Sequence, residues 1–121
     1  MRGQKLFIRP IEETDGEAIR AFLARNSTTS AVPRCGLVGK LVGDLVAVLA
    51  MEITSDGVRI DDLVVAKELR RKRIARVMLM ELDSLAAKME REWLIVERAD
   101  ARDFLMRVGF SGERRMVRRV R

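Results

Sequence analysis

The sequence predicts an α+β domain built on a mixed, mostly antiparallel sheet, with a parallel pair at strands 4 and 5 and flanking helices. Two observations carry that expectation. Between Cys35 and Ala66, three apolar stretches of strand length are separated by the turn sequences Gly43-Asp44 and Ser55-Asp56-Gly57, the pattern of an antiparallel meander. Beyond them, Ile74, Met78, Leu82, Leu85 and Met89 recur at helical spacing, between a strand ending at Ala66 and the short apolar run Trp93 to Glu97. A strand–helix–strand unit of this kind brings its two strands parallel, through a right-handed crossover. A chain of 121 residues suits one domain, residues 1–121.

Taken in order, Lys5 to Pro10 alternates apolar and polar residues and reads as a first strand. Thr14 or Asp15 can cap the helix that follows, which carries Ile19, Phe22 and Leu23 on one face. Residues 26–33 are polar and read as a loop. Strands are expected at Cys35 to Val42, Leu45 to Ile53 and Val58 to Ala66, followed by the long helix to about Arg91. Trp93 opens the fifth strand, and Ala101 to Val108 forms a short helix with Gly109 just past its end. A last strand after Phe110 mixes Met116, Val117 and Val120 with arginines. The order is β-α-β-β-β-α-β-α-β.

Composition narrows the chemistry. The chain has no His, no Tyr and one Cys, so Ser-His-Asp and Cys-His catalysis within one chain are excluded, and so are zinc sites that need His or several Cys; no metal site is expected. Acid–base work falls to Asp, Glu, Lys, the lone Cys35 or water. Cys35 reads as a small buried thiol, and the methionines at 78, 80, 89 and 106 as core filler. A single cysteine suits a reducing cytoplasm, and no apolar run is long enough to span a membrane. The net charge is +6, which favours polyanionic partners or phosphorylated ligands. Five arginines of that balance sit in the tail: Arg114, Arg115, Arg118, Arg119 and Arg121. On a strand, Arg115 and Arg119 face one side while Arg114 and Arg118 face the other. The tail has three readings: a solvated edge that resists aggregation, a nucleic-acid contact, or a strand that completes a sheet in a homodimer.

The most informative junction is Leu63-Val64-Val65-Ala66 running into Arg70, Arg71, Lys72, Arg73 and Arg76, where the long helix begins. Cations at a helix N-terminus oppose the dipole unless an anion sits there, because the unpaired N–H groups and the cations can then both face phosphate. The alternative is a solvated basic turn.

With that junction in place, the chain resembles the GNAT superfamily of acyl-CoA-dependent N-acyltransferases over nearly its whole length. Leu6 to Asp15 is similar to the family's opening L-x-I-R-x-A-x-x-x-D. Arg70 and Ala75 match the ends of the loop motif Q/R-x-x-G-x-G/A, and Gly109-Phe110 match the late G-F. The resemblance implies that Arg70, Arg71, Lys72, Arg73, Ile74 and Ala75 hold the pyrophosphate of acetyl-CoA, the acyl co-substrate. It also implies that Leu63, Val64 and Val65 offer main-chain bonds to its pantetheine arm, with the Val65 N–H toward the thioester oxygen. The middle glycine of the loop is here Arg73, the usual Tyr is Leu105, and the Asn often found upstream is Arg98. The implied activity is acetyl transfer to an amine-bearing small molecule or protein. The other reading is an inactive CoA-binding or basic nucleic-acid-binding module on the same scaffold.

An attacking amine must lose a proton, and the expected base is Asp61, acting directly or through water, with Glu52 on the neighbouring strand second. Alternation is expected to turn only one of Asp61 and Asp62 toward a cleft. Either carboxylate can equally be an exposed strand residue that balances nearby arginines.

Overall fold

The computed structural model describes residues 5–27, 31–70, 73–97, 102–112 and 115–121. Its strands are β1 (Leu6–Pro10), β2 (Gly36–Leu41), β3 (Asp44–Ile53), β4 (Gly57–Val65), β5 (Trp93–Val96) and β6 (Met116–Arg119). Its helices are α1 (Gly16–Asn26), α2 (Ile74–Lys88) and α3 (Arg102–Arg107). The strands form one sheet in the order β1-β2-β3-β4-β5-β6. All neighbours are antiparallel except the parallel pair β4 and β5, as the strand–helix–strand pattern requires.

Element boundaries shift by a residue or so from the sequence expectation. The β2–β3 turn is Val42-Gly43 rather than Gly43-Asp44, with both residues at positive φ, the backbone of a tight hairpin that follows strand twist. Asp15 does not cap α1 with its side chain. Its carboxylate is instead gripped by Arg9 at 2.7 and 2.8 Å and accepts the Glu12 N–H at 2.7 Å. The Arg9 contact, with the Glu12 bond behind it, holds the Asp15 carboxyl down at about 2 although burial opposes ionisation.

The core lies on both faces of the sheet. Ile19, Phe22 and Leu23 of α1 are buried over β3 and β4. On the other face α2 sets Ile74, Met78 and Leu82 against β1 to β4. Gly39 lets α2 approach, since a Cβ there would meet the Met78 sulfur at 3.0 Å. Met78 is core, but Met80 and Met106 are 62% and 58% exposed, so the filler reading fails for those two. Cys35 is half-buried and its thiol is pushed up by desolvation, away from a nucleophile.

The tail is only in part the solvated edge that its charge suggests: Arg115, Arg119 and Arg121 are exposed, but Arg118 is buried. Arg118 is 7% exposed and pairs with Asp83 of α2, donates to the Val108 carbonyl at 3.0 Å and lies over the Phe110 ring. Arg119 stacks over Trp93, and Arg115 reaches Glu97. The outer edge of β6 is partly covered as well, because Ser111 and Val117 exchange two main-chain hydrogen bonds. Arg114 and Arg98 lie outside the described residues.

Candidate active site

β4 and β5 pair only over Gly57 to Arg59 and Trp93 to Ile95. That short pairing is held tight by the absence of a side chain at Gly57, where a Cβ would meet the Trp93 carbonyl at 2.7 Å. Beyond Arg59 the two strands part, and the second half of β4 has an open edge. The register decides which groups face it. Ala66 donates to the Val46 carbonyl, so the alternate residue Val64 also bonds toward β3. Leu63 and Val65 therefore turn their main-chain groups into the gap, while the Val64 main chain is committed to the sheet. Within the gap, the Leu63 N–H donates to Asp62 Oδ1 at 2.9 Å, and the Val65 carbonyl accepts Arg70 Nε at 3.2 Å.

A bulge sits where this edge begins. Ala50 pairs with Asp62 but Met51 pairs with Ile60, which leaves Asp61 as the extra residue of β4. Strict alternation fails there, so the expectation that only one of Asp61 and Asp62 turns to the cleft does not apply. Asp61 follows Arg59 onto its face and accepts Arg59 Nε at 2.8 Å, while Arg59 also clasps Glu52. The structure thus brings both candidate bases onto a single arginine, with Asp61 43% and Glu52 60% exposed at the side chain. Asp61, then Glu52 and Glu97, push the Arg59 guanidinium further up. Arg59 was not named from the sequence, although two-residue spacing already sets it on the face of Asp61; its place opposite Glu52 comes from the strand register.

At the mouth of the gap, α2 begins abruptly. Its N-cap is Arg73, in the left-handed conformation at φ 65°, and no side chain caps the helix. The first N–H satisfied by the helix itself is that of Val77, which bonds the Arg73 carbonyl. The amides of Ile74, Ala75 and Arg76 are left for another acceptor. Ile74 anchors the turn in the core, and Arg73 and Arg76 are exposed beside it. No acidic residue stands in this first turn. Arg71 and Lys72 lie outside the described residues.

Arg70 ties this loop to α1. Its Nη2 donates to the Asn26 carbonyl at 2.9 Å at the end of α1, where a cation suits the helix dipole. Buried Asn26 completes the tie, accepting the Lys67 N–H at 3.0 Å and donating to the Phe22 carbonyl at 3.0 Å. Sequence reading missed Asn26, since its partner is 41 residues away in the chain.

Comparison with known proteins gives this fold a family. The profile of the acetyltransferase (GNAT) family matches residues 5–110. The chain belongs to the GNAT acetyltransferase family. Solved structures agree in fold. The ribosomal-protein-S18-alanine N-acetyltransferase of Escherichia coli superposes with a TM-score of 0.81 at 14% identity, over 96% of this chain and 94% of that one. Ard1 of Thermoplasma volcanium gives 0.76 at 16% identity, over 96% and 98%. A GNAT acetyltransferase of Brucella melitensis, solved with acetyl-CoA, gives 0.74 at 11% identity, over 95% and 88%. No curated protein is significantly similar in sequence. As a GNAT domain the chain is divergent. Arg73 takes the left-handed turn where the family motif has glycine, and Leu105, in place of the usual Tyr, is buried in the core. No helix among the described residues is long and apolar enough to cross a membrane, and no cluster of metal-ligating side chains is present among them.

Proposed function

We propose that this GNAT protein transfers an acetyl group from acetyl-CoA to an amine. The observation that carries the reading is the uncapped start of α2 at the mouth of the gap between β4 and β5. Unpaired amides, a helix dipole and flanking arginines converge there with no acidic side chain to compete. The residues present fit the co-substrate: Ile74, Ala75 and Arg76 hold the pyrophosphate through their N–H groups, with Arg73 adding charge. Leu63 and Val65 receive the pantetheine arm as an added strand. For Leu63 this requires Asp62 to release its N–H. Acetyl-CoA supplies the activated acetyl thioester. The Val65 N–H stabilises charge on the thioester oxygen. Asp61, fixed by Arg59 at the bulge, takes the proton of the attacking amine through a water. The amine nitrogen bonds the acetyl carbon, the carbon–sulfur bond breaks, and the thiolate takes its proton from solvent, since Leu105 has none to give.

Calorimetry with acetyl-CoA at two salt concentrations tests this, with ADP as the control. Saturable one-site binding, tighter than ADP, is the expected result. Binding that merely follows phosphate content and vanishes with salt overturns it. Asp61→Asn is expected to abolish turnover in a thiol-release assay and to leave acetyl-CoA affinity unchanged. One observation favours the inactive acyl-CoA-binding reading: Asp61 and Glu52 are both engaged by Arg59. That reading gains if the native protein binds acetyl-CoA yet transfers to none of a panel of primary amines.

A further inference from the structure

A groove among the described residues lies outside the gap. It runs between α2 and α3, is closed below by the end of β6, and encloses about 410 Å³. Its floor is apolar, formed by Leu79 and Val108, with the exposed Met80 alongside. Its rim is cationic, formed by the exposed Arg76, Arg107 and Arg121. Among the described residues, Asp83 is the one acidic side chain of the lining, and Arg118 neutralises it. Among the described residues, none of the three rim arginines has a carboxylate in salt-bridge contact.

The rim is also built rather than loose. The Arg121 main-chain N–H bonds Asp83 Oδ1 at 3.4 Å, and its Nη2 donates to the Val108 carbonyl at 3.3 Å. Gly109 makes room for it, since a Cβ there would stand 2.6 Å from that nitrogen. Arg118, 7% exposed, lines the same groove and keeps a buried Nε with no partner.

We propose that this groove docks an acidic peptide segment carrying one apolar side chain. Planar guanidinium forks pair two-fold with carboxylates, and a flexible thioether adapts to whichever apolar side chain enters. The apolar floor argues against a nucleic acid, because no aromatic ring lines the groove for a base to stack on, and the Trp93 face is already taken by Arg119. The same floor argues against a lone phosphate, which would leave Met80 uncovered. The proposal stands whether or not the gap between β4 and β5 takes acetyl-CoA.

The test uses the full chain with 13C-labelled methionine methyls and the peptide acetyl-Asp-Glu-Leu-Glu-Asp-amide, with Met80 assigned from Met80→Leu. The expected result is a saturable shift of the Met80 methyl, with an affinity on the order of 100 μM for so small a contact. The buried Met51 and Met116 methyls stay in place. Arg107→Glu combined with Arg121→Glu weakens that binding by about tenfold or more. An unchanged melting temperature and unchanged Met51 and Met116 signals show that this variant is folded, and single Arg107→Gln serves if it is not. No Met80 shift overturns the proposal, and so does an equal shift from a lysine-bearing peptide. Displacement of the peptide by oligothymidylate or inorganic phosphate overturns it in favour of a general anion site. Displacement by CoA but not by dephospho-CoA overturns it too, because the rim would then belong to the nucleotide.

Discussion

Arg73 does at one residue what the GNAT loop elsewhere does with glycine. Its φ of 65° places a Cβ where L-residues are strained, a cost on the order of 1 kcal/mol. Arg73→Gly should therefore raise stability, by about 0.5 to 1 kcal/mol after allowing for the greater freedom of glycine in the unfolded chain. Urea unfolding measures this, and a loss of stability would mean that the arginine side chain holds the loop. Asp15 sets the acid limb of stability. Its carboxyl lies at about 2 when folded, against an ordinary 3.8, so its contribution is complete above the ordinary value. That contribution fades as pH falls from about 4 through 2. Asp15→Asn should lower stability at pH 7 by about 1 to 2 kcal/mol and flatten the loss between pH 4 and pH 2, as read from urea midpoints across that range. An unaltered pH profile would show that Arg9 gains nothing from the charge. At this scale the sequence was least legible. Asp61 and Glu52 were named from their strands, but their shared clasp by Arg59 depends on the β3–β4 register, which sets Glu52 opposite Arg59 and which no local pattern fixes. Arg70 matched a phosphate motif, and its side chain holds the end of α1, a contact fixed only by the tertiary fold.

Among the elements, β6 and α2 are joined by a buried charge pair. Arginines in a terminal run read as exposed because such residues are seldom buried unless paired. The signal that could have found the pair was Asp83, which falls among Leu79, Leu82 and Ala86 on the apolar side of α2. An acid at a core-facing helical position calls for a buried cation. Arg118→Met leaves that acid buried alone and should cost about 3 to 5 kcal/mol, whereas Arg118→Met with Asp83→Leu should recover most of the loss. A thermal and chemical unfolding cycle decides this, and equal losses in the single and double variants would show that the pair is not the tie. Helices, strands and their order were legible because 3.6-residue and 2-residue periodicities switch cleanly at Gly and Pro turns. The ends were less so: the β2–β3 turn slipped by one residue because Val42 accepts a positive φ that sequence assigns to Gly or Asn.

For the whole molecule, the sheet predicts a pattern of amide protection. Val64 is bonded to β3 and should exchange slowly, while the Val65 N–H on the open edge should exchange fast and become protected on adding acetyl-CoA. Equal exchange at the two positions would refute the register argument for the gap. The topology itself was legible because a strand–helix–strand unit has a single favoured hand. The divergence of its two strands was not, since nothing in Gly57 to Val65 announces that pairing stops after Arg59.

That brief junction has a kinetic consequence. β1 to β4 form a block of neighbouring strands, two of whose joints are tight hairpins, so loop closure within β2 to β4 is cheap and rapid. β5 and β6 join that block only after α2 has crossed the sheet, and through three residue pairs. The chain should therefore assemble as a prefabricated wall to which a late-arriving flap is hung, and the seam where the flap meets the wall is the gap itself. Pulse-labelled exchange during refolding should find Val38, Val48 and Val64 protected before Leu94 and Val96. The gap would then be the last part of the molecule to acquire its shape and the first to lose it.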